Sequence, residues 1–542
     1  MTTPYEEGYP TSKICILAEA PARAEMRQGR PLVGPSGQLL DQSLHPAKIV
    51  RRECYLLNVF EFEVNKGKSG NITDRDGDIL WTAKTGLTEI GAEAAKPCFE
   101  RLSNSSANVV VPLGGTALSV VFGDSRIMKW RGSILSGTEM TNHRKLVPTV
   151  HPAACLRGQY LWRHLLISDL DRARQESDSP KRNLTKRNLL IDPSFNDVGE
   201  YLRDVAKQER TAFDIEVLNH QVSCISFTKK ATDAICIPFV VEGGKNRWTL
   251  EQEEQIWLLI STILGNEEIL KIGQNLIFDI SFLLQQMNIH TSGPVGDTMI
   301  AHHIMFPDFP KGLDFLCSMH TREPYYKDDG KLWSKPWVDL EKFWEYNAKD
   351  SAVADELWDV FKPMMKEGEY WQCYKDTVDM FPCLLYMMTR GIAVDVDRLK
   401  ETKIDVQKKI KEREDELEKV ADYPFNPASP KQCQEYFYSH KGHKPYVSRS
   451  TGRPTTDDKA MSRIFRRFRY PEAKLVQELR SLNKLSGTYL EVEYDKDERV
   501  RCSYNPRGTT TGRLSSSKTI FGTGMNLQNL HPEFKGFLVA RD

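Results

Sequence analysis

Short apolar runs alternate with amphipathic segments through the first third of the chain. The runs at 13–18 (KICILA), Cys54–Val59 and Asn108–Leu113 are each long enough for one buried strand. A helical pattern lies near Gln38–Ser43, between the first two runs. Strands that alternate with helical segments predict an α/β domain, which we expect to end near Ala173.

A polar and charged stretch at 174–190 predicts a linker after this domain. Beyond it, TAFDIEV, VSCISFTKK and AICIPFVV predict three successive strands from Thr211, and helical patterns run from Leu250 to about Val360. The pattern is mostly helical and strongly charged over Trp371–Val420, and the chain is rich in Gly, Thr and Ser from Arg501. These changes predict an α/β multidomain protein divided into 1–173, 174–190, 191–370, 371–500 and 501–542.

Composition narrows the class of protein without deciding its partner. The 542 residues are 40% hydrophobic and 27% charged, which provides several cores and excludes global disorder. The 74 basic and 74 acidic side chains cancel, so a patch that binds nucleic acid has to be local. No apolar run reaches about 18 residues and no signal-peptide pattern appears, which predicts no membrane partner. The eleven cysteines include no CxxC pair and favour free thiols in a reducing cytoplasm.

Two acidic residues stand in an apolar strand in the middle of the chain. Asp214 and Glu216, in FDIEV, are two residues apart, and this spacing places both carboxylates on one face of a strand. Acidic side chains in apolar surroundings are costly unless a positive group binds them. A hard divalent cation with oxygen ligands would meet that need. The pair alone leaves open a half-exposed strand with a polar face.

Two later segments add further acids and a phenol. Asp279 lies inside the apolar helical pattern of KIGQNLIFDISFLL, and Tyr346 and Asp350 lie four residues apart on one helix face in YNAKDSAVADEL. In this order and spacing, FDIEV, NLIFD and YNAKD resemble the three motifs of the DEDD-superfamily proofreading exonucleases of the tyrosine subtype. The resemblance covers about residues 190–365 and implies an RNase H-like domain. It also implies that Asn275 contacts the nucleic-acid strand.

The resemblance implies a 3′–5′ exonuclease that hydrolyses phosphodiester bonds with two Mg²⁺ ions, or with Mn²⁺ in their place. By the family pattern, Asp214, Glu216 and Asp350 hold the metal on the side of the nucleophile, and Asp214 bridges to the second metal. Asp279 acts on that second metal through its water shell. Tyr346 orients the attacking water.

Several segments of the last third resemble family A DNA polymerases. CLLYMMTRGIAVDVDRL (383–399) resembles the helix that opens the polymerase part, and FNPASPKQ (425–432) and TGRPTTDDKAM (451–461) resemble the mainly helical thumb region. Residues 441–470 hold nine Lys and Arg against two acids, with four aromatic residues between them. Such a basic stripe is typical of a surface that binds a duplex backbone, and it is also compatible with a basic helix that only faces solvent.

The most specific of these segments is TTTGRLSSSKTIFGTGMNLQNL (Thr509–Leu530), which resembles the family A segment that grips the primer–template. The resemblance implies that Thr511, Gly512 and Arg513 approach phosphates, since glycine permits close backbone approach and arginine pairs with phosphate oxygens. It also implies that three amide side chains contact sugar and base edges, namely those of Asn526, Gln528 and Asn529.

FKGFLVARD (534–542) resembles the strand that leads to the first palm motif, and Asp542 is expected as the first metal-binding aspartate of polymerisation. The nucleotide-binding helix and the second catalytic aspartate of the family do not follow in this sequence. We therefore expect polymerisation only with a C-terminal half, from the same gene or a separate chain, that supplies the fingers and the rest of the palm. A fragment and a natural split subunit both stay open.

The N-terminal domain resembles the family 4 uracil-DNA glycosylases. LAEAPARAEMRQGRPLVGPSGQLLD (17–41) resembles their first motif, and three later segments follow in order. By position, Glu19 is the acidic motif residue, Asn58 the uracil reader and His151 the leaving-group residue, whereas Leu32 stands where the family has a stacking aromatic residue. The family's four cluster cysteines are not present as a set, since only Cys98 falls near a ligand position, so no iron–sulfur cluster is expected. Active uracil excision and a DNA-binding or structural role both stay open.

Together the resemblances imply the N-terminal part of a family A replicative DNA polymerase of bacteriophage type, located in the host cytoplasm. The expected partners are DNA primer–templates and single-stranded 3′ ends. Two other functions stay open. One is an active uracil-DNA glycosylase of DNA repair, and the other is a non-catalytic DNA-binding half of a split polymerase.

Overall fold

The computed structural model describes residues 2–67, 70–328, 339–449 and 451–541 of the chain. The chain forms two compact units. The first consists of residues 1–279 and 289–375, and the second of residues 280–288 and 376–542. Within the described ranges, no helix is both long and apolar enough to cross a membrane.

A seven-stranded sheet forms the centre of the N-terminal region. Its four inner strands run parallel, and short strands pair antiparallel at both edges. The inner strands are mostly apolar because both faces of the sheet are buried, and Asn58 and Lys145 are their buried polar residues. In spatial order the strands are Thr2–Thr3, Glu6–Glu7, Cys54–Asn58, Ile14–Ala18, Val109–Pro112, Lys145–Leu146 and Leu135–Ser136.

Two apolar cores lie on the two faces of this sheet. Successive strand residues alternate between them, so that Ile14 and Ile16 enter one core while Cys15 and Leu17 enter the other. The α-helices of the region are Arg23–Gln28, Pro35–Leu44, Glu89–Asn104, Gly114–Phe122, Ile127–Trp130, Pro152–Leu156 and Trp162–Glu176. A separate four-stranded antiparallel sheet consists of Asn65–Lys66, Ile72–Thr73, Ile79–Thr82 and Gly86–Leu87.

The connection after this region is shorter than the linker predicted at 174–190. Helix Trp162–Glu176 continues beyond Ala173, and Glu176 is buried in an ion pair with Lys145. At the other end, strand Asn188–Leu190 already pairs in the next sheet. The polar sequence hides the end of the helix because the charge of Glu176 is paired with the distant Lys145.

A six-stranded sheet forms the centre of the next region. The three predicted strands make its antiparallel middle, in the order Asp233–Pro238, Gln221–Lys230 and Arg210–Leu218. Strand Asn188–Leu190 flanks the first of them, and Leu270–Gly273 and Val295–Asp297 follow the last in parallel. These last two strands were not predicted, and they interrupt the helical segments predicted from Leu250 to about Val360. Each has three or four residues directly before a helix, so its apolar pattern merges with that of the helix.

The helices around this sheet present an apolar side to it, and four of them have a first turn capped by a side chain. Asp297 and Asp339, for example, each accept a backbone N–H of the helix that follows them. The helices are Phe195–Val205, Leu250–Gly265, Leu276–Met287, Thr298–Met305, Leu313–His320 and the 28-residue Leu340–Glu367.

The second unit is mainly helical. The single opening helix expected over 383–399 is two helices separated by strand Ile392–Val394, because Gly391 adopts φ +63° and ends the helix Phe381–Arg390. The other helices from residue 371 on are Trp371–Val378, Val396–Val420, Pro430–Gln434, Glu435–His440, Asp458–Phe468, Pro471–Lys484, Leu485–Leu490 and Pro532–Lys535. The other strands are Arg499–Val500, Ser503–Asn505, Ser515–Ser517 and Leu538–Val539.

Candidate active site

Three carboxylates meet at the central strand of the six-stranded sheet. Asp214 and Glu216 lie on strand Arg210–Leu218, and Asp350 lies on helix Leu340–Glu367, which packs on this sheet. One oxygen from each of the three carboxylates lies within 4.8 Å of the others. The two-residue spacing predicted to place Asp214 and Glu216 on one face therefore brings both to Asp350.

Asp279 is buried beside the same strand. It lies in the first turn of helix Leu276–Met287, is 4% exposed, and its Oδ1 accepts the backbone N–H of Ile215 at 3.0 Å. Burial, and next the neighbouring Asp214, raise its pKa well above the usual value. Asp279 is outside the group of three carboxylates that can share one ion, and it approaches the cluster from the adjacent helix.

The negative charge of the carboxylate cluster is not fully compensated by neighbouring positive groups. Burial, and next the charge of Asp350, raise the pKa of Asp214 to about 8. Burial and Asp214 raise the pKa of Glu216 well above its usual value. Carboxylates crowded in a low-dielectric site retain protons unless a cation compensates them. The set of hard oxygen donors fits a divalent metal ion.

Three residues that the sequence did not single out contact the cluster. Asn347 Nδ2 donates to Asp214 Oδ2 at 2.8 Å and to the Asp214 carbonyl at 3.1 Å. Tyr326 donates its hydroxyl to Asp350 Oδ1 at 2.7 Å. Lys327 Nζ donates to Asp350 Oδ2 and, at 2.8 Å, to the hydroxyl of Tyr346. The tyrosine and lysine belong to the polar run EPYYKDD, whose chemistry is visible in sequence but whose partners are not.

Tyr346 stands next to the carboxylates, on the same helix as Asp350. Burial, and next the charge of Asp350, raise the pKa of its phenol, so it stays protonated at neutral pH. Burial opposes the charge of Lys327, but the charge of Asp350 and the hydrogen bonds to Asp350 and Tyr346 together raise the pKa of Lys327. The site therefore presents a neutral phenol and one ammonium group beside three carboxylates.

An open cleft of about 700 Å³ leads to these groups. Asn275, with φ +63°, lies at its wall between strand Leu270–Gly273 and helix Leu276–Met287. The predicted residues that line the cleft are Asp214, Glu216, Asn275, Tyr346 and Asp350, joined by Gln274, Lys311, Asp314, Tyr325 and Lys327 among others. The cleft thus combines acids at its floor with amide and ammonium groups at its walls.

A second polar site lies at the carboxyl ends of the parallel strands in the N-terminal region. Strands Ile14–Ala18 and Cys54–Asn58 run side by side with Ala18 opposite Asn58, which brings Glu19 and Asn58 to the same edge. His151 follows a bridge between Leu113 and Thr149 at that edge. Neighbouring parallel strands end at one edge, so residues far apart in sequence meet there.

The polar groups of this second site are compensated differently. Glu19 accepts the Thr116 hydroxyl at 2.7 Å and pairs with Lys66 at 2.9 Å. His151 caps helix Pro152–Leu156 by accepting the Ala153 N–H, and burial, opposed by Glu19, lowers its pKa to about 4. The site thus holds a paired carboxylate and a neutral imidazole.

Asn58 is the exception in this site. The residue is 3% exposed, and neither its Oδ1 nor its Nδ2 has a hydrogen-bond partner among the described residues. Leu32, at the position of the family's stacking aromatic, is 7% exposed with φ +51° and packs in the core. A buried amide without partners is costly, and a ligand with a donor and an acceptor would satisfy it.

The polymerase-like residues lie on an exposed loop region of the second unit. Gly512 adopts φ +74°, and Thr511 and Arg513 beside it are exposed. Gln528 and Asn529 are also exposed. Asn526 is half-buried, and its Oδ1 accepts the Ser516 hydroxyl at 2.8 Å and the Gln528 N–H at 2.9 Å, so this acceptor is used within the protein. Asp542 lies outside the described residues.

The basic segment 441–470 divides into inner and outer parts. Its aromatic residues pack into a core, and His443 stacks on Phe468 at 3.9 Å between ring centroids. Lys441 pairs with Asp422 and Glu472. The other eight Lys and Arg side chains are exposed, and none of them pairs with a carboxylate in the described part of the chain. A basic surface remains, but without interleaved exposed aromatic rings.

Three parts of the chain match known protein families. Residues 5–168 match the family model of the uracil-DNA glycosylase superfamily, residues 197–366 that of 3′–5′ exonucleases, and residues 396–535 that of DNA polymerase family A. The matches follow one another along the chain in the order predicted.

Individual relatives agree with these matches. The DNA polymerase of Bacillus phage SP01 is 23% identical over 606 aligned positions, which cover 94% of this chain and 62% of that protein. The DNA polymerase of Escherichia phage T5 is 28% identical, over 52% of this chain and 37% of that protein. The type-4 uracil-DNA glycosylase of Sulfurisphaera tokodaii is 29% identical, over 32% of this chain and 75% of that protein. The chain thus spans less than two thirds of the length of either polymerase.

The fold shows an α/β multidomain protein, and the matches to exonuclease and polymerase families indicate that it is an enzyme. It joins three regions that match, in order, the uracil-DNA glycosylase superfamily, 3′–5′ exonucleases and DNA polymerase family A, and its relatives include phage polymerases. The three resemblances predicted from the sequence are confirmed at this level. The exonuclease match and the carboxylate cluster together indicate the use of a divalent metal ion.

Proposed function

We propose that this chain removes nucleotides from the 3′ ends of DNA by metal-dependent hydrolysis, as the proofreading part of a family A replicative polymerase. The observation that supports this most is the meeting of Asp214, Glu216 and Asp350 beside the phenol of Tyr346. Crowded carboxylates with raised pKa values fit Mg²⁺, and Mn²⁺ is the natural substitute.

Each residue has a distinct part in the proposed reaction. Two Mg²⁺ ions bound at this site would supply a hydroxide nucleophile and neutralise charge on the attacking and leaving oxygens. Asp214, Glu216 and Asp350 would hold them, with Asp279 contributing from the adjacent helix. Tyr346, protonated and held by Lys327, orients the attacking water.

The walls of the cleft favour a nucleic-acid strand as substrate. Asn275 lies at the cleft wall, and Lys311 adds a positive charge that suits phosphate, whereas the amide of Gln274 is already bound by Thr298 and the Lys311 carbonyl. In the second unit, eight exposed Lys and Arg of segment 441–470 and the exposed Thr511 and Arg513 suit a duplex backbone. We propose primer–template DNA as the partner, and polymerisation only where further polymerase elements, including a partner for Asp542, are supplied.

A labelled primer tests the exonuclease directly. The full chain is incubated with Mg²⁺, the four dNTPs and a 5′-labelled primer whose 3′ end is mismatched to its template. We expect a descending ladder that EDTA abolishes, because removal from the 3′ end leaves the label on progressively shorter strands. Release of the label as a mononucleotide would contradict the 3′–5′ direction, and an unchanged primer would contradict the activity.

A second candidate function rests on Asn58. We propose that the glycosylase-like site binds an exposed uracil base, since the unpartnered amide offers both a donor and an acceptor to a base edge. Glu19, paired with Lys66 and Thr116, and the neutral His151 lie at the same edge. Uracil-containing and matched thymine-containing single strands should then differ in affinity for the full chain. Equal affinities would contradict uracil recognition, and alkali-labile breaks at uracil would show excision as well as binding.

A further inference from the structure

The glycosylase-like and exonuclease regions share a buried charged contact within the first unit. Arg131 is 1% exposed, and its Nε donates to Asp169 Oδ2 at 2.9 Å. Asp169, equally buried, also accepts the Thr149 hydroxyl at 2.8 Å. From this pair, Arg131 Nη1 reaches across to Ser318 Oγ of the exonuclease region at 2.9 Å.

Two further contacts fix the chain that follows Ser318. Arg172 Nη2 donates to the Met319 carbonyl at 3.1 Å. Arg322 pairs with Glu176, which is buried and also bound by Lys145. The glycosylase-like region therefore holds residues 318–322 by one hydrogen bond to backbone and two charged contacts.

The far end of this segment is held by the short helix Ile127–Trp130. The ring of Trp130 lies 5.5 Å from that of Tyr325, edge to face. Lys129 Nζ lies 4.7 Å from the centroid of the Tyr325 ring and pairs with Asp328. The glycosylase-like region thus contacts the segment 318–328 at five residues, namely Ser318, Met319, Arg322, Tyr325 and Asp328.

The same segment supplies two contacts to the exonuclease carboxylates. Tyr326 and Lys327, between the held Tyr325 and Asp328, both donate to Asp350. Partners that bind a metal ligand from behind fix its orientation and tune the affinity for metal. The segment therefore joins a surface of one region to a metal-ligand candidate of the other.

We propose that the glycosylase-like region is a positioning element of the exonuclease site, acting on Asp350 through Tyr326 in the segment 318–328. A buried Arg–Asp pair contributes little net stability because its desolvation offsets its attraction, but its two hydrogen bonds form in one relative orientation of the side chains. In this account Tyr326 is a positioning residue. The inference rests on the proposed exonuclease function, and its test separates the two.

The test measures metal binding and excision in the full chain. Mn²⁺ is titrated into wild type, Tyr326→Phe, and the interface variant Lys129→Met/Ser318→Ala, and free Mn²⁺ is counted by electron paramagnetic resonance. Loss of a partner behind a metal ligand lowers metal affinity about 10-fold or more, so we expect about 10-fold weaker binding for Tyr326→Phe and about 3- to 10-fold for the interface variant. The Mn²⁺ concentration for half-maximal excision should rise in parallel, with the KM for DNA unchanged.

A double-mutant cycle distinguishes positioning from general weakening. If the interface acts through Tyr326, the interface changes should cost little more affinity when added to Tyr326→Phe. Independent, additive losses would overturn the proposal. Lys96→Met is the matched control, since Lys96 forms an exposed ion pair with Glu93 inside the glycosylase-like region. An equal loss in this control would also overturn the proposal.

Two safeguards keep the outcomes separate. Thermal melting confirms folding, and Arg131→Lys, which retains the charge but not the forked contact, replaces any interface variant that fails to fold. If wild type binds no Mn²⁺ and excises nothing, the proposed exonuclease fails. If wild type does both and the interface variants match it, only the positioning role fails.

Discussion

The two polar sites of the first unit handle buried polar groups in opposite ways. In the exonuclease cleft, Asp214, Glu216 and Asp350 lie close together with raised pKa values for the first two. In the glycosylase-like site, Glu19 is already paired, and the uncompensated group is the neutral amide of Asn58. Excess negative charge favours a cation, whereas an unpaired amide favours a neutral ligand with a donor and an acceptor. The type of buried group that is left uncompensated, charged or neutral, therefore indicates the type of ligand that each site binds.

The largest expected effect is the loss of the carboxylates. Asp214→Ala/Glu216→Ala should lower the rate of 3′ excision about 10³-fold or more, because bound metal contributes several kcal/mol to the transition state. Single-turnover excision of a mismatched primer measures it. Glu254→Ala, an exposed acid on a neighbouring helix, is the control and should match wild type. If excision persists in the double variant, the cleft is not the exonuclease active site.

The second largest expected effect is the loss of the Tyr346 hydroxyl. Tyr346→Phe removes the hydroxyl that Lys327 holds at 2.8 Å and should lower kcat for excision about 10²-fold, the usual loss for a group that positions a reacting water. The KM for DNA and Mn²⁺ binding should change little, since the carboxylates remain. A change confined to KM would mean that Tyr346 binds the strand and does not act on the water.

The neutral imidazole gives a pH test of the other site. The pKa of His151 is lowered to about 4, so its contribution to stability is fully present above the usual value near 6.5 and is lost as the pH falls towards 4. His151→Asn keeps a capping acceptor and cannot titrate in this range. Relative to wild type it should recover up to about 3 kcal/mol of unfolding free energy between pH 6.5 and 4. Parallel pH profiles for the two proteins would contradict a buried neutral histidine.

The smallest effect concerns Asn58. Asn58→Leu removes an unpaired buried amide and should raise the free energy of unfolding by about 1 kcal/mol. The same change should reduce the preference for uracil-containing strands about 10-fold, as it removes the proposed hydrogen bonds to the base. Denaturant unfolding and strand binding measure the two effects. A destabilised variant would show that Asn58 has a partner in the folded chain.

The sequence predicted the parts of the sites that depend on local spacing. Asp214 and Glu216 share a strand face, and Tyr346 and Asp350 share a helix face, so short motifs suffice. Tyr326 and Lys327 were missed because they lie in an irregular segment whose partners are set by the fold. Arg131 was missed for a related reason, since it pairs with Asp169, 38 residues away, and with Ser318, 187 residues away. These residues could be found only when their charge, their burial and their long-range contacts were known together.

One gel compares both sites in the same reaction. A 5′-labelled strand with an internal uracil and a mismatched 3′ end is incubated with the full chain, with Mg²⁺ or with EDTA, and is then treated with alkali. We expect a descending ladder that forms with Mg²⁺ and is absent in EDTA. If no ladder forms with Mg²⁺ and the only product is a break at uracil in EDTA, the carboxylate cleft is not the catalytic site of this chain.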